Sequence, residues 1–163
     1  MKQILQQLAA YNIWANERLI DCMMALPEEW FMKELAGSFP SLHATLMHIL
    51  DAESIWWQRM KMQEIITTPS AHFKGTTYDL TQALMLQNKL WESWIATASL
   101  PALEHVFHYQ NTKREQFKQP VYQMLFHVFN HGTYHRGQFV TMLRQLEVQK
   151  IPATDFIVFS RMK

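Results

Sequence analysis

A chain of 163 residues that is 48% hydrophobic and 18% charged is long enough to bury one substantial core, and too apolar to remain disordered. Its net charge of +1 comes from scattered Lys and Arg, with no basic stripe suited to nucleic acid, and no apolar run approaches the roughly 20 residues that span a bilayer. Cys22 is the only cysteine, which excludes an intrachain disulfide; the N-terminus lacks a signal-peptide core, and the expectation is a cytoplasmic protein of one domain over residues 1–163.

The apolar positions Leu5, Leu8, Ala15, Leu19, Met23 and Leu26 recur near a 3.6 period and predict a first helix over about 2–26, stopped by Pro27. A loop to Pro40 follows. Ser41 then offers an N-cap to a second helix over about 41–64, with Leu42, Leu46, Ile49, Trp56 and Met60 on its apolar face. Residues 67–78 form a Thr-rich connection, and Asp79 or Thr81 opens a third helix to about 98 through Leu84, Trp91 and Ile95. Over 105–118, HVFHY alternates, NTKR resembles a turn and EQFK can return, which predicts a short hairpin. Pro120 fits the first position of a fourth long helix running to about 146, and the tail adds a short helix or an extended segment. The fold class is therefore all-α: a four-helix bundle of antiparallel-capable helices with modest connections, and a short β-hairpin before the last long helix.

Eight histidines in so small a chain point to chemistry, and they concentrate in HVFNHGTYHRGQ at 127–138. His131 and His135, one turn apart on one face and about 6 Å apart along the axis, can converge on one ion. His127 lies a further turn away and rotated off that face, which should place it outside the ligand shell. A third ligand must come from elsewhere, and His48, mid-helix in the apolar run ATLMHILDAE, is the best candidate. Three neutral imidazoles would leave coordination positions open for water or substrate, as catalytic sites do. The plainer reading stands beside it: a His pair at this spacing is often a polar helix face, and a core His is more often hydrogen-bonded than metal-bound. His43, His72, His105 and His108 read as structural or exposed.

Several stretches resemble the DinB/YfiT-like family of helical-bundle metalloproteins: YNIWANERL at 11–19, SFPSLHATLMHILDAESIWWQR at 38–59, NHGTYHRGQ at 130–138 and TDFIVF at 154–159. The resemblance implies a ligand triad at His48, His131 and His135 for a divalent metal (Zn, Ni, Fe or Mn), a bundle of four main helices, and frequent homodimers. It further implies, for some members, use of a low-molecular-weight thiol such as bacillithiol or mycothiol. Three functions follow as alternatives: transfer of an activated thiol to an electrophile, metal-dependent hydrolysis with His127 or Glu53 as base, or a non-catalytic metal- or ligand-binding stress-response module. In each, the partner is a small molecule, with neither nucleic acid nor membrane involved. Among neighbouring residues, Gly132 and Gly137 are expected to permit close helix approach, and Trp14, Trp56 and Trp57 to pack in the core or seam. Asn12, Asn16 and Asn130 are candidate partners for the imidazoles or for buried backbone. Arg136 is expected to pair with Asp51, Glu53 or Asp155.

Overall fold

The structure, a computed structural model, describes residues 1–111 and 113–162; Thr112, in the turn expected at NTKR, and Lys163 lie outside them. Four long helices dominate: α1 (Lys2–Met24), α2 (Leu42–Met60), α3 (Thr77–Thr97) and, after a short α4 (Leu100–Glu104) and a hairpin, α5 (Val121–Gln145). The hairpin pairs β1 (Val106–Gln110) antiparallel with β2 (Gln116–Pro120), Val106 opposite Pro120 and Gln110 opposite Gln116. A short α6 (Phe156–Ser160) closes the described chain. Among the described residues, no helix is long and apolar enough to cross a membrane.

Local chemistry explains the starts. Ser41 caps α2 as expected, its Oγ accepting from the Ala44 amide at 3.1 Å, a contact worth about 1 kcal/mol. The opening of α3 differs from expectation. Thr76, not Asp79 or Thr81, is the cap, and Asp79 is its reciprocal partner: the Thr76 side chain accepts from the Asp79 amide while the Asp79 carboxylate accepts from the Thr76 amide. Pro120 is likewise the cap residue of α5 rather than its first helical position, because its extended backbone still belongs to β2. Ser99 caps the unanticipated α4, with Pro101 in the first turn where its missing N–H is harmless.

The ends of α2 and α5 share one device. Met62 and Glu147 take left-handed backbone (φ 51° and 61°), and the next amides, Gln63 and Val148, reach back to the Gln58 and Leu143 carbonyls. Glycine usually fills that position. With Met there instead, helix 2 stops at Met60, four residues short of the expected end, with no signal in the sequence.

The core falls into two apolar halves. Leu19, Met23, Leu42, Leu46, Leu80, Leu84, Phe139 and Leu143 pack in one; Leu5, Ala9, Trp91, Ile95, Leu103, Phe107, Leu125 and Val128 pack in the other. Along the chain, α1 and α5 run from the second half to the first, whereas α2 and α3 both run from the first to the second. Thus α2 and α3 are parallel, and residues 61–76 carry the chain back along the bundle, a crossover that the expectation of modest connections did not foresee. That crossover lies against α2, where Asp51 accepts the Ser70 amide at 2.9 Å.

Candidate metal centre

The site forms where α2 and α5 meet. His48 on α2 and His131 and His135 on α5 turn their rings toward one another, with His131 Nε2 3.2 Å from His48 Nε2 and 3.0 Å from His135 Nε2. One nitrogen from each of the three lies within 4.8 Å of the others. Nitrogens bound to a common ion at about 2.1 Å sit roughly 3.0–3.4 Å apart for octahedral to tetrahedral angles, so both short separations suit a shared cation. Such a three-His group can hold a metal ion.

The surroundings keep the rings neutral, the form in which imidazole is a ligand. Burial, followed by the charges of His135, His48 and His127, pushes His131 down to about 4. Burial also lowers His48 and His135, opposed by Asp51 in the first case and by Gln138 in the second. His135 Nδ1 donates to Gln138 Oε1 at 2.8 Å, and Gln138 Nε2 donates to Ser38 Oγ at 2.9 Å. A proton on Nδ1 leaves the Nε2 lone pair facing the other histidines. Phe39 stacks on the His48 ring at 4.2 Å between centroids. Gln138 was discoverable, standing one turn beyond His135 on its own face. Ser38 and Phe39 come from the 25–41 connection and carried no such signal.

His127 stays apart, as its rotation requires: its ring is 5.9 Å from that of His131 and meets the edge of Trp56. Trp57 packs on Trp91 in the core, and Trp14 stands at the seam with Phe159. Trp56 packs against the second apolar half as expected and also borders a cavity of about 330 Å³ that His48, Asp51, Ile55 and Arg59 line. His43 bonds Thr77 through Nδ1 at 2.8 Å, while His72, His105 and His108 are exposed.

A sequence model of the DinB family matches residues 1–163. The chain belongs to the DinB family. It is similar to "Protein DinB" of Bacillus subtilis (strain 168), 29% identical across an alignment that covers 92% of this chain and 90% of that protein. Among solved structures it resembles a DinB-like protein from Bacillus cereus ATCC 10987, with a TM-score of 0.64 at 17% identity, covering 85% of this chain and 89% of that one. The latter likeness bears on the fold alone, and agrees with a helical bundle.

Directly beneath the histidines, this DinB-family chain carries a polar layer between the two apolar halves. Arg136 donates through one nitrogen to Asn12 Oδ1 (2.6 Å) and Asn16 Oδ1 (3.0 Å); Asn12 donates to Glu53 Oε1 (3.1 Å); Asn16 donates to Asn88 Oδ1 (2.7 Å), and Asn88 to Glu53 Oε2 (2.6 Å). All five residues are at most 3% exposed. Two amide relays thus run from one guanidinium to one carboxylate, tying α1, α2, α3 and α5 together. This corrects several expectations. Asn12 and Asn16 serve this layer rather than the imidazoles, and Asn130 is exposed. Of its three expected partners, Arg136 is joined to Glu53, through amides. Glu53 is enclosed by Asn12 and Asn88, which removes it as a base for the metal centre. Gly132 is needed here, because a Cβ would lie 3.0 Å from Asn12 Oδ1 and 3.2 Å from an Arg136 nitrogen; Gly137, expected to play the same part, has nothing within 4 Å.

Proposed function

We propose that the protein is a metal-dependent enzyme that holds one divalent transition metal at His48, His131 and His135 and activates a low-molecular-weight thiol for transfer to an electrophile. The observation that carries this reading is the convergence of three neutral imidazole nitrogens beside a cavity, with one of them oriented by Gln138. A divalent cation there supplies Lewis acidity, which lowers the pKa of a coordinated thiol into the neutral range. The chain's own residues then position and shield. Gln138 keeps the His135 lone pair directed inward, Phe39 covers His48, and Trp56 walls the cavity beside it.

A thiol supplied by the ligand removes the need for a protein nucleophile. That suits Cys22, whose thiol is raised by burial and rests against the Lys150 carbonyl, away from the histidines. Hydrolysis ranks lower, because Glu53 is spoken for and only His127 remains of the bases first considered. We further propose one cytoplasmic domain acting as a homodimer, a state suited to the exposed Phe126, Tyr134, Phe156 and Ile157.

Elemental analysis of untagged wild type beside His131→Ala tests the reading. About one equivalent of transition metal in the wild type, lost in the variant, together with thiol binding that needs the metal, is the expected result. No metal in the wild type, and none taken up on incubation with Zn, Ni, Fe or Mn, would overturn it.

A further inference from the structure

We infer that Arg59 binds an acidic group, carboxylate or phosphate, at the far end of the ligand whose thiol reaches the histidines, so that the substrate is an anionic thiol of about tripeptide length. The inference rests on the proposed function and adds the part of the molecule that the histidines do not read.

His48 and Arg59 line the same cavity of about 330 Å³. They stand eleven residues apart on α2, which is close to three full turns, so both fall on one stripe with Ala52 and Ile55. The guanidinium is held by aromatic rings, 4.7 Å from the centroid of Trp56 and 5.4 Å from that of Tyr109. Rings fix a cation without occupying its N–H donors. Arg59 Nε is buried and has no hydrogen-bond partner among the described residues. The groups that act on its charge are its own burial, which disfavours it, and then the Tyr109 phenol; no carboxylate is among them.

Two other polar groups of the cavity have partners of their own, and Thr68 also lines it. Asp51 accepts the Ser70 amide, and Asn111 serves its own turn, donating to Glu115 and accepting the Lys113 and Glu115 amides. Arg59 is thus a donor-rich cation, partly withdrawn from water, with no carboxylate paired to it among the described residues. Such a group costs stability unless something pairs with it. An acidic ligand group, able to accept two parallel N–H donors, is the matching chemistry. The two backbones are about 16 Å apart along the helix, and both side chains lean back toward the helix N-terminus, the longer arginine further than the histidine. The acid must then lie roughly 10 Å from the sulfur, the reach of about three extended residues. A bare amino-acid thiol is too short to bridge both ends.

The test is calorimetric titration of the zinc-loaded protein with three probes: glutathione, its diethyl ester, which keeps the thiol and loses both acids, and S-methylglutathione, which keeps the acids and loses the thiol. The wild type should bind glutathione at least about tenfold more tightly than the diester, a preference that weakens as salt is added. Arg59→Gln should bind both equally, at the diester's level, with zinc content and circular dichroism unchanged, and Arg59→Lys should recover part of the preference. No preference in the wild type, or an undiminished one in Arg59→Gln, overturns the subsite. The two readings separate cleanly. Metal-dependent thiol binding without an acid preference sinks the subsite alone. Arg59-dependent binding of S-methylglutathione as tight as that of glutathione, with no contribution from the thiol, sustains the subsite while the thiol reading fails.

Discussion

Arg136 reaches Glu53 through the Asn12 side chain, whose oxygen accepts the guanidinium at 2.6 Å and whose nitrogen donates to the carboxylate at 3.1 Å. One amide thus does for the pair what water does at a surface: it bonds to both without letting them meet. The consequence is that a small neutral residue holds a large electrostatic share of the fold.

Replacing Asn12 with Leu should therefore cost far more than an ordinary core change. It strands a donor of Arg136 and an acceptor of Glu53 inside the bundle, and roughly 3–5 kcal/mol of stability should disappear, read as a lower urea midpoint. A loss below about 1 kcal/mol would mean that the second relay, through Asn16 and Asn88, suffices alone.

Glu53 should also make stability depend on pH. Burial raises its carboxyl from 4.5 to about 7, against the opposing pull of Asn12, Asn88 and Arg136. A folded pKa above the unfolded one means that the native state holds the extra proton between those values. Stability conferred by this group is then greatest below about pH 4.5, declines as pH rises toward 7, and is level beyond, by an amount on the order of 3 kcal/mol. Urea unfolding across pH 5–8 measures the slope. Glu53→Gln, which cannot titrate, should flatten it, and an unchanged slope in that variant would assign the dependence to other groups.

The two glycines of the histidine helix should respond in opposite directions to alanine. At Gly137 a methyl meets nothing, so Gly137→Ala should gain up to about 1 kcal/mol from helix propensity. At Gly132 the methyl would press on Asn12 and Arg136, both pinned by their bonds, and Gly132→Ala should lose stability despite the same propensity gain. Thermal melts of the two variants side by side decide it.

Gln138→Ala should leave the helix intact and free the His135 ring to adopt the wrong tautomer. Zinc affinity, measured by competition with a chromophoric chelator, is expected to fall about 10–100-fold, while His131→Ala abolishes binding. Equal affinity in Gln138→Ala and wild type would remove Gln138 from the centre.

What was legible in the sequence was local. The i,i+4 pair His131 and His135, the Ser41 cap, the hairpin strands and the four apolar stripes all declare themselves within a few residues, because helix and strand periods do. His48 was legible as an apolar-run histidine, and its meeting with the pair rests on packing. The polar layer was not legible as a layer: its bonds join residues 41, 72 and 124 positions apart, and each of its asparagines looks like any other when read singly. The parallel course of α2 and α3 was hidden for a related reason. A crossover differs from a loop only in where it ends, and Met62, the residue that begins it, is not one that announces a turn.

The crossover and the polar layer together bear on the order in which the protein can mature during synthesis. Helices α1, α2 and α3, which carry Asn12, Asn16, Glu53 and Asn88, emerge from the ribosome before α5 and Arg136. Any packing of those three helices alone would leave the Glu53 carboxyl among amide donors with no countercharge. Arrival of α5 supplies that cation and both remaining histidines on the same helix. Completion of the interior and assembly of the metal centre therefore both require α5, and a chain truncated before it would lack both at once.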